Sequence, residues 1–525
     1  MKETELAFGK KMLDTKLGSR ANMFCSPFFL LALDRKAEEN AGDVLFGTIG
    51  WTGNYRFTFE VDNENGLRIL SGINPYASEY SLKPNEVFRT PEFIFTYSAK
   101  GKGKASRDFQ RWARKYQLKD GEKSRMTLLN NWEATYFDFN EDKLVNIMDE
   151  AVALGVDMFL LDDGWFANKY PRSSDHQGLG DWEETVTKLP NGIGKLVKEA
   201  TDRGIKFGLW IEPEMVNENS QLYRTHPDWA LTLPGRKPAM GRNQLVLDLS
   251  RPEVVDYLAG VIGKLLREHH IEYIKWDMNR PFSQVGAENL ADPKMYSYLH
   301  TMAVYRIVDE LKRRHPAVQF ESCASGGGRC DLGAISHFDQ VWTSDNTDGI
   351  DRMTIQKGYS MLHPIKTMRA WVTDIAGINK PCSLDFRFHI AMQGALGLGG
   401  NLEKYSPEEL EICRRNVALY KEIRPLVQFG DLYRILDADR DEVLCNQYVS
   451  RDKMQAVLFL SARGTRFFKK KMNLRFAGLA PDRAYAFTLD GVAYKKGGAF
   501  LMEVGLPVYV RGADYNQIVR LTAVE

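Results

Sequence analysis

The feature of this sequence that most constrains its fold is a series of acidic residues, each placed directly after a short apolar run. Helix-length amphipathic stretches separate most of these runs, which is typical of repeated strand–loop–helix units. A (β/α)8 barrel carries its active site at the C-terminal ends of such strands. One acidic residue in this position is more often a helix cap, but a repeated series favours an active site. The series is Asp162, Asp163, Glu212, Asp248, Asp277, Glu321 and Asp345.

The apolar runs also predict where the barrel strands lie. The first predicted strand is Met126–Leu129, and the last is Ala370–Val372, where Pro364 and nearby charges weaken the pattern. The strands between them are predicted to end at Leu161, Ile211, Leu247, Trp276, Phe320 and within Val341–Ser344.

Strand-like alternation flanks this region on both sides. Tyr55–Val61, a turn at Asn63–Gly66 and a second apolar run predict an antiparallel hairpin, and Ser106–Gln117 has helical spacing. Period-two alternation returns in Glu442–Val449, Gln455–Leu460, Lys470–Phe476, Ala484–Leu489, Pro507–Val510 and Gln517–Thr522. The predicted domains are therefore a partial N-terminal β-sandwich at 1–105, a (β/α)8 catalytic barrel at 106–426 and a C-terminal β-sandwich at 427–525.

Composition excludes several classes of protein. The chain has 525 residues, 44% of them hydrophobic, and a net charge of +1 without a basic stripe, which argues against nucleic acid as a partner. No apolar run is long enough for a membrane helix, and the first residues lack a signal-peptide core. The six scattered cysteines predict free thiols in a reducing compartment, so the expected location is cytoplasmic.

Six motifs in order resemble those of the α-galactosidases of glycoside hydrolase family 36. They are Leu161–Trp165, Gly180–Trp182, Gly208–Glu214, Tyr273–Arg280, Glu321–Arg329 and Trp342–Asp348. The resemblance implies an N-terminal β-sandwich, a barrel, a C-terminal β-domain and retaining hydrolysis of terminal α-galactosyl residues, as in melibiose and raffinose, with no metal or other cofactor. The N-terminal sandwich is expected to be shortened, and its exposed strand edges favour a homo-oligomer.

Two of the acidic residues are predicted to be catalytic. Retaining glycosidases use two carboxyl groups about 5 to 5.5 Å apart, one ionised and one protonated. Asp277 is predicted to be the nucleophile, because the Lys275 ammonium two residues earlier favours an ionised carboxylate. Asp345 is assigned as the acid/base by the resemblance, with Asp348 as its rival.

Further residues are expected to hold the sugar. Asp162 and Asp163 would accept hydrogen bonds from O4 and O6 by the resemblance, and Trp132 and Trp210 offer flat apolar faces. Trp165 offers such a face too, or belongs to the core. The resemblance also makes Lys275, Arg242 and Asn279 hydrogen-bond donors and places Cys323 and Gly326 at the 2-hydroxyl. Arg242 is equally consistent with an ordinary loop residue.

Other functions remain open at this point. Within the same fold the alternatives are an α-N-acetylgalactosaminidase and a transgalactosidase of the raffinose- or stachyose-synthase type. From another class, a catalytically silent carbohydrate-binding protein is the alternative. A metal-dependent hydrolase is disfavoured because His176, His226, His269 and His270 do not follow predicted strands. The glycine-rich run 325–328 lacks the Gly-Lys-Ser/Thr ending of a nucleotide-binding loop, and Cys323 lacks a histidine base.

Overall fold

The computed structural model describes residues 3–34, 36–375, 377, 379–462, 470–512 and 515–524. The ends of the first and last predicted domains, at residues 1–2 and 525, lie outside this range. The described chain has β-sheets at its N-terminal end, then a closed parallel barrel, then further antiparallel sheets. The fold class predicted from the sequence is thereby confirmed.

Two three-stranded antiparallel sheets form the N-terminal part. The first has the strand order β1-β4-β5 and the second β2-β3-β6. The ring centroid of Phe29 in the second sheet lies 4.9 Å from that of Phe59 and 5.4 Å from that of Phe57 in the first. Contacts between aromatic rings therefore join the two sheets. The strands are β1 (Gly9–Asp14), β2 (Phe28–Ala32), β3 (Val44–Ile49), β4 (Tyr55–Val61), β5 (Leu67–Ile73) and β6 (Phe93–Ser98). The predicted hairpin is confirmed as β4 and β5.

A long helix leads from these sheets into the barrel. Helix α1 (Gly101–Tyr116) begins earlier than the predicted Ser106–Gln117, and its buried Phe109 belongs to the same core as Phe46 of β3. The barrel strands are β7 (Leu128–Asn130), β8 (Met158–Leu161), β9 (Lys206–Ile211), β12 (Tyr273–Trp276), β13 (Gln319–Ser322), β14 (Gln340–Trp342), β15 (Met368–Val372) and β16 (Ala395–Leu398).

Helices connect the barrel strands and bury one face against them. Helix α3 is capped at its start by Asn140, whose side chain accepts from the Lys143 N–H, and at its end by Gly155 in the left-handed conformation. The helices are α2 (Trp132–Thr135), α3 (Glu141–Leu154), α4 (Gly192–Asp202), α5 (Gln221–Thr225), α6 (Pro252–Glu268), α7 (Tyr296–Arg314), α8 (Leu332–His337), α9 (Gly349–Ser360), α10 (Leu384–Ala391) and α11 (Pro407–Phe429). Within the described ranges, no helix combines the length and apolar character needed to cross a membrane.

The strand count was wrong at two places. The predicted strand ending at Leu247 is β11 (Leu245–Val246), which pairs antiparallel with β10 (Met215–Val216) outside the barrel. Its residues are apolar because they are buried in this hairpin. The missing barrel strand is β16, whose Gly397 and following Gly399 and Gly400 weaken the strand pattern. Ala370–Val372 is a barrel strand, as predicted, but the seventh rather than the eighth.

The C-terminal part forms a six-stranded sheet of order β17-β18-β19-β24-β21-β22, with a separate β20–β23 pair. All six predicted strands are confirmed, whereas β17 and β22 were missed. The elements are β17 (Asp431–Leu436), α12 (Ala438–Asp441), β18 (Val443–Val449), β19 (Gln455–Ala462), β20 (Lys470–Leu474), β21 (Ala484–Leu489), β22 (Val492–Gly497), α13 (Gly498–Glu503), β23 (Leu506–Val510) and β24 (Asn516–Val524).

Candidate active site

The C-terminal mouth of the barrel gathers most of the acidic residues of the series. Asp162 and Asp163 follow β8, Glu212 follows β9, Asp277 follows β12 and Asp345 lies beyond β14. Asp162, Asp163, Glu212 and Asp277 are buried, whereas Asp345 keeps exposed surface at the rim. Parallel strands bring residues that are distant in sequence to one end of the barrel, which explains how they meet.

The two other members of the series lie elsewhere. Glu321 is inside β13 and faces Arg369 and the Tyr273 hydroxyl in the barrel interior. Asp248 follows β11 and accepts from the Ser250 N–H at 3.0 Å, so it shapes a turn. The prediction that these two belong to the barrel-mouth series was therefore wrong. The first faces inward within a strand, and the second follows a strand outside the barrel.

Asp277 is held by hydrogen bonds on both carboxylate oxygens. Oδ1 accepts from the backbone N–H groups of Met278 at 2.8 Å and Ser325 at 3.3 Å. Oδ2 accepts from Asn279 Nδ2 at 2.9 Å and Trp210 Nε1 at 3.2 Å. These donors fix the orientation of the carboxylate and stabilise its charge.

The electrostatic surroundings keep Asp277 ionised. Burial alone would raise its pKa, but the Lys275 ammonium, a hydrogen bond from the Cys323 thiol and the Met278 N–H bring the pKa below its usual value. Lys275 does not pair with Asp277 directly, because its Nζ lies 2.8 Å from Asp162 Oδ2. The ammonium therefore acts on Asp277 through space.

The surroundings of Asp345 have the opposite effect and favour its protonated form. Although Asp345 keeps exposed surface, the protein atoms around its carboxyl group partly remove it from water. This desolvation and the nearby Asp277 carboxylate raise the pKa of Asp345. Its Oδ1 accepts from Trp342 Nε1 at 2.8 Å, which orients the group. One carboxyl group of the pair thus favours the ionised form and the other the protonated form.

Asp348 has a different role. It is the N-cap of α9, and its side chain accepts from the N–H groups of Ile350 at 3.0 Å and Asp351 at 2.8 Å. It is fully buried. The buried Arg352 of the same helix donates to Thr343 Oγ1 at 2.8 Å and to the Asn346 carbonyl at 2.7 Å, so α9 grips the loop that carries Asp345.

The adjacent Asp162 and Asp163 have separate cationic partners. Asp162 accepts from Lys275 and from Asn130 Nδ2 at 2.7 Å. Asp163 forms a two-pronged ion pair with Arg172, at 3.0 Å from Nε to Oδ1 and 2.9 Å from Nη2 to Oδ2. The two cations offset the repulsion that two neighbouring buried carboxylates would suffer.

The three tryptophans differ in exposure. Trp165 is fully buried and donates its indole N–H to the Trp210 carbonyl at 2.9 Å, so it belongs to the core. Trp210 is only 2% exposed and stacks on Phe166, while its own N–H reaches Asp277. Trp132, at the start of α2, is half-buried, and of the three it is the one with a face open to a ligand.

A glycine-rich loop between β13 and α8 forms the wall next to Asp277. Ser325 and Gly326 have φ values of +46° and +77°, and a Cβ on Gly326 would lie 2.7 Å from the Asp345 nitrogen. The main chain of this loop thus approaches both catalytic candidates closely. Cys323 is 2% exposed, and burial raises the pKa of its thiol well above the usual value, which does not suit a nucleophile.

The rim of the site carries Arg242 and Glu133. Arg242 is exposed, with a φ of +49°, and its guanidinium favours the ionised forms of Asp277 and Asp345. Glu133 of α2 is half-buried, and burial raises its pKa to about 7. Asp345, Asp162 and Lys275 act on it electrostatically.

Sequence reasoning missed several of these residues. Arg172 follows Asp163 in an irregular loop, where no periodic pattern signals a contact. Glu212 belonged to the acidic series, but the sequence assigned it no role. It accepts a hydrogen bond from Gln244 Nε2 at 2.9 Å. Burial and the nearby Asp277 carboxylate together raise its pKa to about 8. Trp342 begins the motif Trp342–Asp348, but only the structure shows its contact with Asp345.

A parallel barrel with two carboxyl groups of opposite protonation preference at its C-terminal mouth is the arrangement that glycoside hydrolases use. The sequence models of the glycosyl hydrolase family 36 N-terminal domain, of Melibiase and of the glycosyl hydrolase family 36 C-terminal domain match residues 1–83, 87–430 and 443–521. The chain belongs to glycoside hydrolase family 36.

Similarity to individual proteins supports this membership. The chain is 38% identical to alpha-galactosidase AgaA of Geobacillus stearothermophilus, over 99% of this chain and 71% of that protein. It is 37% identical to alpha-galactosidase Mel36A of Lactobacillus acidophilus, over 97% and 69%. The crystal structure of AgaA superposes with a TM-score of 0.95 at 37% identity, covering 99% of this chain and 72% of AgaA. Variants of AgaA have been solved with raffinose and with stachyose, with the same TM-score, identity and coverage.

Proposed function

We propose that this chain is an α-galactosidase that hydrolyses terminal α-galactosyl residues by a retaining mechanism. The observation that carries the proposal is that Asp277, held by four hydrogen-bond donors, and Asp345, oriented by Trp342, lie at the same barrel mouth. The surroundings lower the pKa of Asp277 and raise that of Asp345. The raffinose and stachyose complexes of AgaA variants support galactosides of this type as the substrate class.

In the first step, the ionised Asp277 attacks the anomeric carbon while Asp345 donates its proton to the departing oxygen. The C–O bond to the leaving group breaks as the bond to Asp277 forms. The hydrogen bonds from Asn279 and Trp210 hold the attacking carboxylate in place, so little rotation is needed.

In the second step, Asp345 acts as a base. Once Asp277 is esterified its negative charge is gone, and so is one of the causes of the raised pKa of Asp345. Asp345, now ionised, removes a proton from water, and the water oxygen attacks the same anomeric face that the leaving group occupied. The ester bond to Asp277 breaks as this bond forms, and Asp277 is again a carboxylate. Galactose leaves with its α configuration retained, and Asp345 is protonated again.

The sugar-binding residues extend the proposal. Asp162 and Asp163, each anchored by one cation, accept hydrogen bonds from O4 and O6, and Lys275 and Arg242 donate to hydroxyls. Trp132 provides the apolar platform. Cys323 and Gly326 lie against O2, where the closeness of the loop backbone to Asp345 leaves little room for an acetamido group. Trp210 and Asn279 act as donors to Asp277 rather than as sugar contacts.

The test follows hydrolysis of nitrophenyl α-galactoside by proton NMR. We expect the first-formed galactose to be the α anomer, and equal amounts of galactose and nitrophenol. First-formed β-galactose would overturn the retaining mechanism, and a deficit of galactose would indicate transfer to another sugar. Comparable turnover of nitrophenyl α-N-acetylgalactosaminide would overturn the role of Cys323 and Gly326.

We further propose a reducing, cytoplasmic location and self-association through the N-terminal sheets. None of the six cysteines, all of which lie in the described part of the chain, forms a disulfide, which fits such a compartment. Phe95 of β6 and Leu70 of β5 are 62% and 54% exposed, and exposed apolar side chains on edge strands favour association. Light scattering at increasing concentration tests this, and a constant monomer mass would contradict it.

A further inference from the structure

The segment that links β1 to β2 enters the barrel mouth. Gly18 donates its N–H to Asn54 Oδ1 at 2.8 Å and has a φ of +71°, and a Cβ there would overlap the Phe282 ring at 2.3 Å. The next residue, Ser19, is fully buried, and its hydroxyl oxygen lies 3.3 Å from Glu214 Oε2. This N-terminal segment is therefore built into the barrel rather than resting on its surface.

Two side chains that follow Ser19 hold the glycine-rich loop. Arg20 donates from Nη2 to the Ala324 carbonyl at 3.0 Å. Asn22 donates its N–H to the Gly328 carbonyl at 3.0 Å and its Nδ2 to the Gly327 carbonyl at 3.1 Å. The N-terminal segment thus holds three carbonyls of the loop, those of Ala324, Gly327 and Gly328.

The same loop fixes Asp277. Ser325, directly after Ala324, donates its N–H to Asp277 Oδ1 at 3.3 Å, and its hydroxyl lies 2.9 Å from Asn279 Oδ1. Asn279 in turn donates to Asp277. One hydrogen bond from Arg20 to Ala324 therefore lies a single residue away from the groups that orient the carboxylate.

Arg20 also brings a charge. It is 3% exposed, and its Nε has no hydrogen-bond partner among the described atoms, so its charge is only partly neutralised by direct contacts. Asp277, Cys323 and Glu212 act on it electrostatically, Asp277 most strongly of the three. In a buried site a cation acts on a neighbouring carboxylate with little screening.

We propose that Arg20 is a positioning residue for the nucleophile, which orients Asp277 through the Ala324–Ser325 backbone and stabilises its ionised form. The proposal rests on the function proposed above. It means that a residue outside the barrel completes the active site, and that the N-terminal sheets contribute to catalysis as well as to stability. The other charged or titratable groups that face Asp277 are Lys275, Glu212, Arg242, Cys323 and Asp345.

The experiment compares the pH profiles of Arg20→Met and Arg20→Lys with that of the unaltered protein. In Arg20→Met we expect the acid limb of kcat/KM to move up by about one pH unit, because an uncompensated Asp277 ionises less readily. We expect kcat on nitrophenyl α-galactoside to fall by roughly tenfold or more, with a smaller change in KM. Arg20→Lys should keep the acid limb and lose only part of kcat.

Arg56→Met is the matched control, because Arg56 is also an N-terminal arginine but pairs at 3.5 Å with Asp14. It should leave the acid limb and kcat unchanged. An unmoved acid limb and kcat in Arg20→Met, or an acid limb that moves equally in Arg20→Lys, would overturn the proposal.

If Arg20→Met does not fold, as read from its thermal unfolding, Arg20→Lys decides alone: reduced kcat with an unmoved limb supports the proposal, and unchanged kcat refutes it. An unaltered protein without turnover would instead refute the proposed function.

Discussion

Replacing Gly326 by alanine tests whether the loop backbone sets the position of Asp345, the proposed acid/base. The new Cβ would lie 2.7 Å from the Asp345 nitrogen and 3.0 Å from the Ser344 Cα, and ordinary contacts begin at 3.4 Å. The two segments must therefore separate by about 0.7 Å, since both sides are backbone and neither can rotate away. A misplacement of about 1 Å can reduce a rate by about a hundredfold, so we expect a loss of roughly 30- to 100-fold.

The substrates distinguish this displacement from general damage. Nitrophenolate leaves with little help from an acid, whereas the leaving group of raffinose needs a proton from Asp345. We therefore expect Gly326→Ala to lose roughly tenfold more activity on raffinose than on nitrophenyl α-galactoside. Steady-state kinetics on both substrates, with thermal unfolding as a check on folding, measures the difference.

The control is Gly204→Ala, at the end of α4. Gly204 has a φ of +75°, close to the +77° of Gly326, but no heavy atom lies within 4 Å of its Cβ position. Both variants carry the backbone strain of about 1 kcal/mol, and only one carries the clash. Equal losses on both substrates, or a Gly204→Ala variant as impaired as Gly326→Ala, would refute the reasoning.

Three further outcomes are expected. With added azide, Asp277→Ala should give β-galactosyl azide and Asp345→Ala the α-azide, and swapped configurations by proton NMR would reverse the two roles. Asp348→Ala should lose about 1 to 2 kcal/mol of stability in thermal or denaturant unfolding without azide rescue, and α-azide from this variant would transfer the acid/base role to it. Glu133, whose pKa burial raises to about 7, adds negative charge near Asp345 above that pH and favours its protonated form. Glu133→Gln should therefore move the alkaline limb of kcat/KM to lower pH, and an unmoved limb would contradict this.

The sequence predicted the fold where its signals were local and periodic. Alternation in Tyr55–Val61 and the helical spacing of Ser106–Gln117 were enough to identify β4 and α1. The eighth strand, β16, was missed because glycines replace the branched residues that mark a strand. The Leu245–Leu247 run was misassigned because burial in a small hairpin gives the same apolar pattern as burial in the barrel.

The candidate site divides in a similar way. Acidic residues after strands could be predicted, because strand ends meet at the barrel mouth whatever the loops do. The partners Arg172 and Arg20 could not, because their contacts depend on how irregular segments return to the barrel. Protonation preference was also beyond the sequence for Asp345, since it depends on burial and on a neighbour from another strand.

Because hydrogen bonds from α9 hold the loop that carries Asp345, the proposed proton transfer depends on this helix being folded. Arg352 donates to Thr343 and Asn346 on either side of Asp345, the proposed general acid, so we expect Asp345 to be in place only while this helix remains docked. Transient local opening of α9 would leave the galactose subsite formed but the leaving group unprotonated. On heating, cleavage of unactivated sugars should therefore fail at a lower temperature than cleavage of nitrophenyl galactosides, before the barrel itself melts.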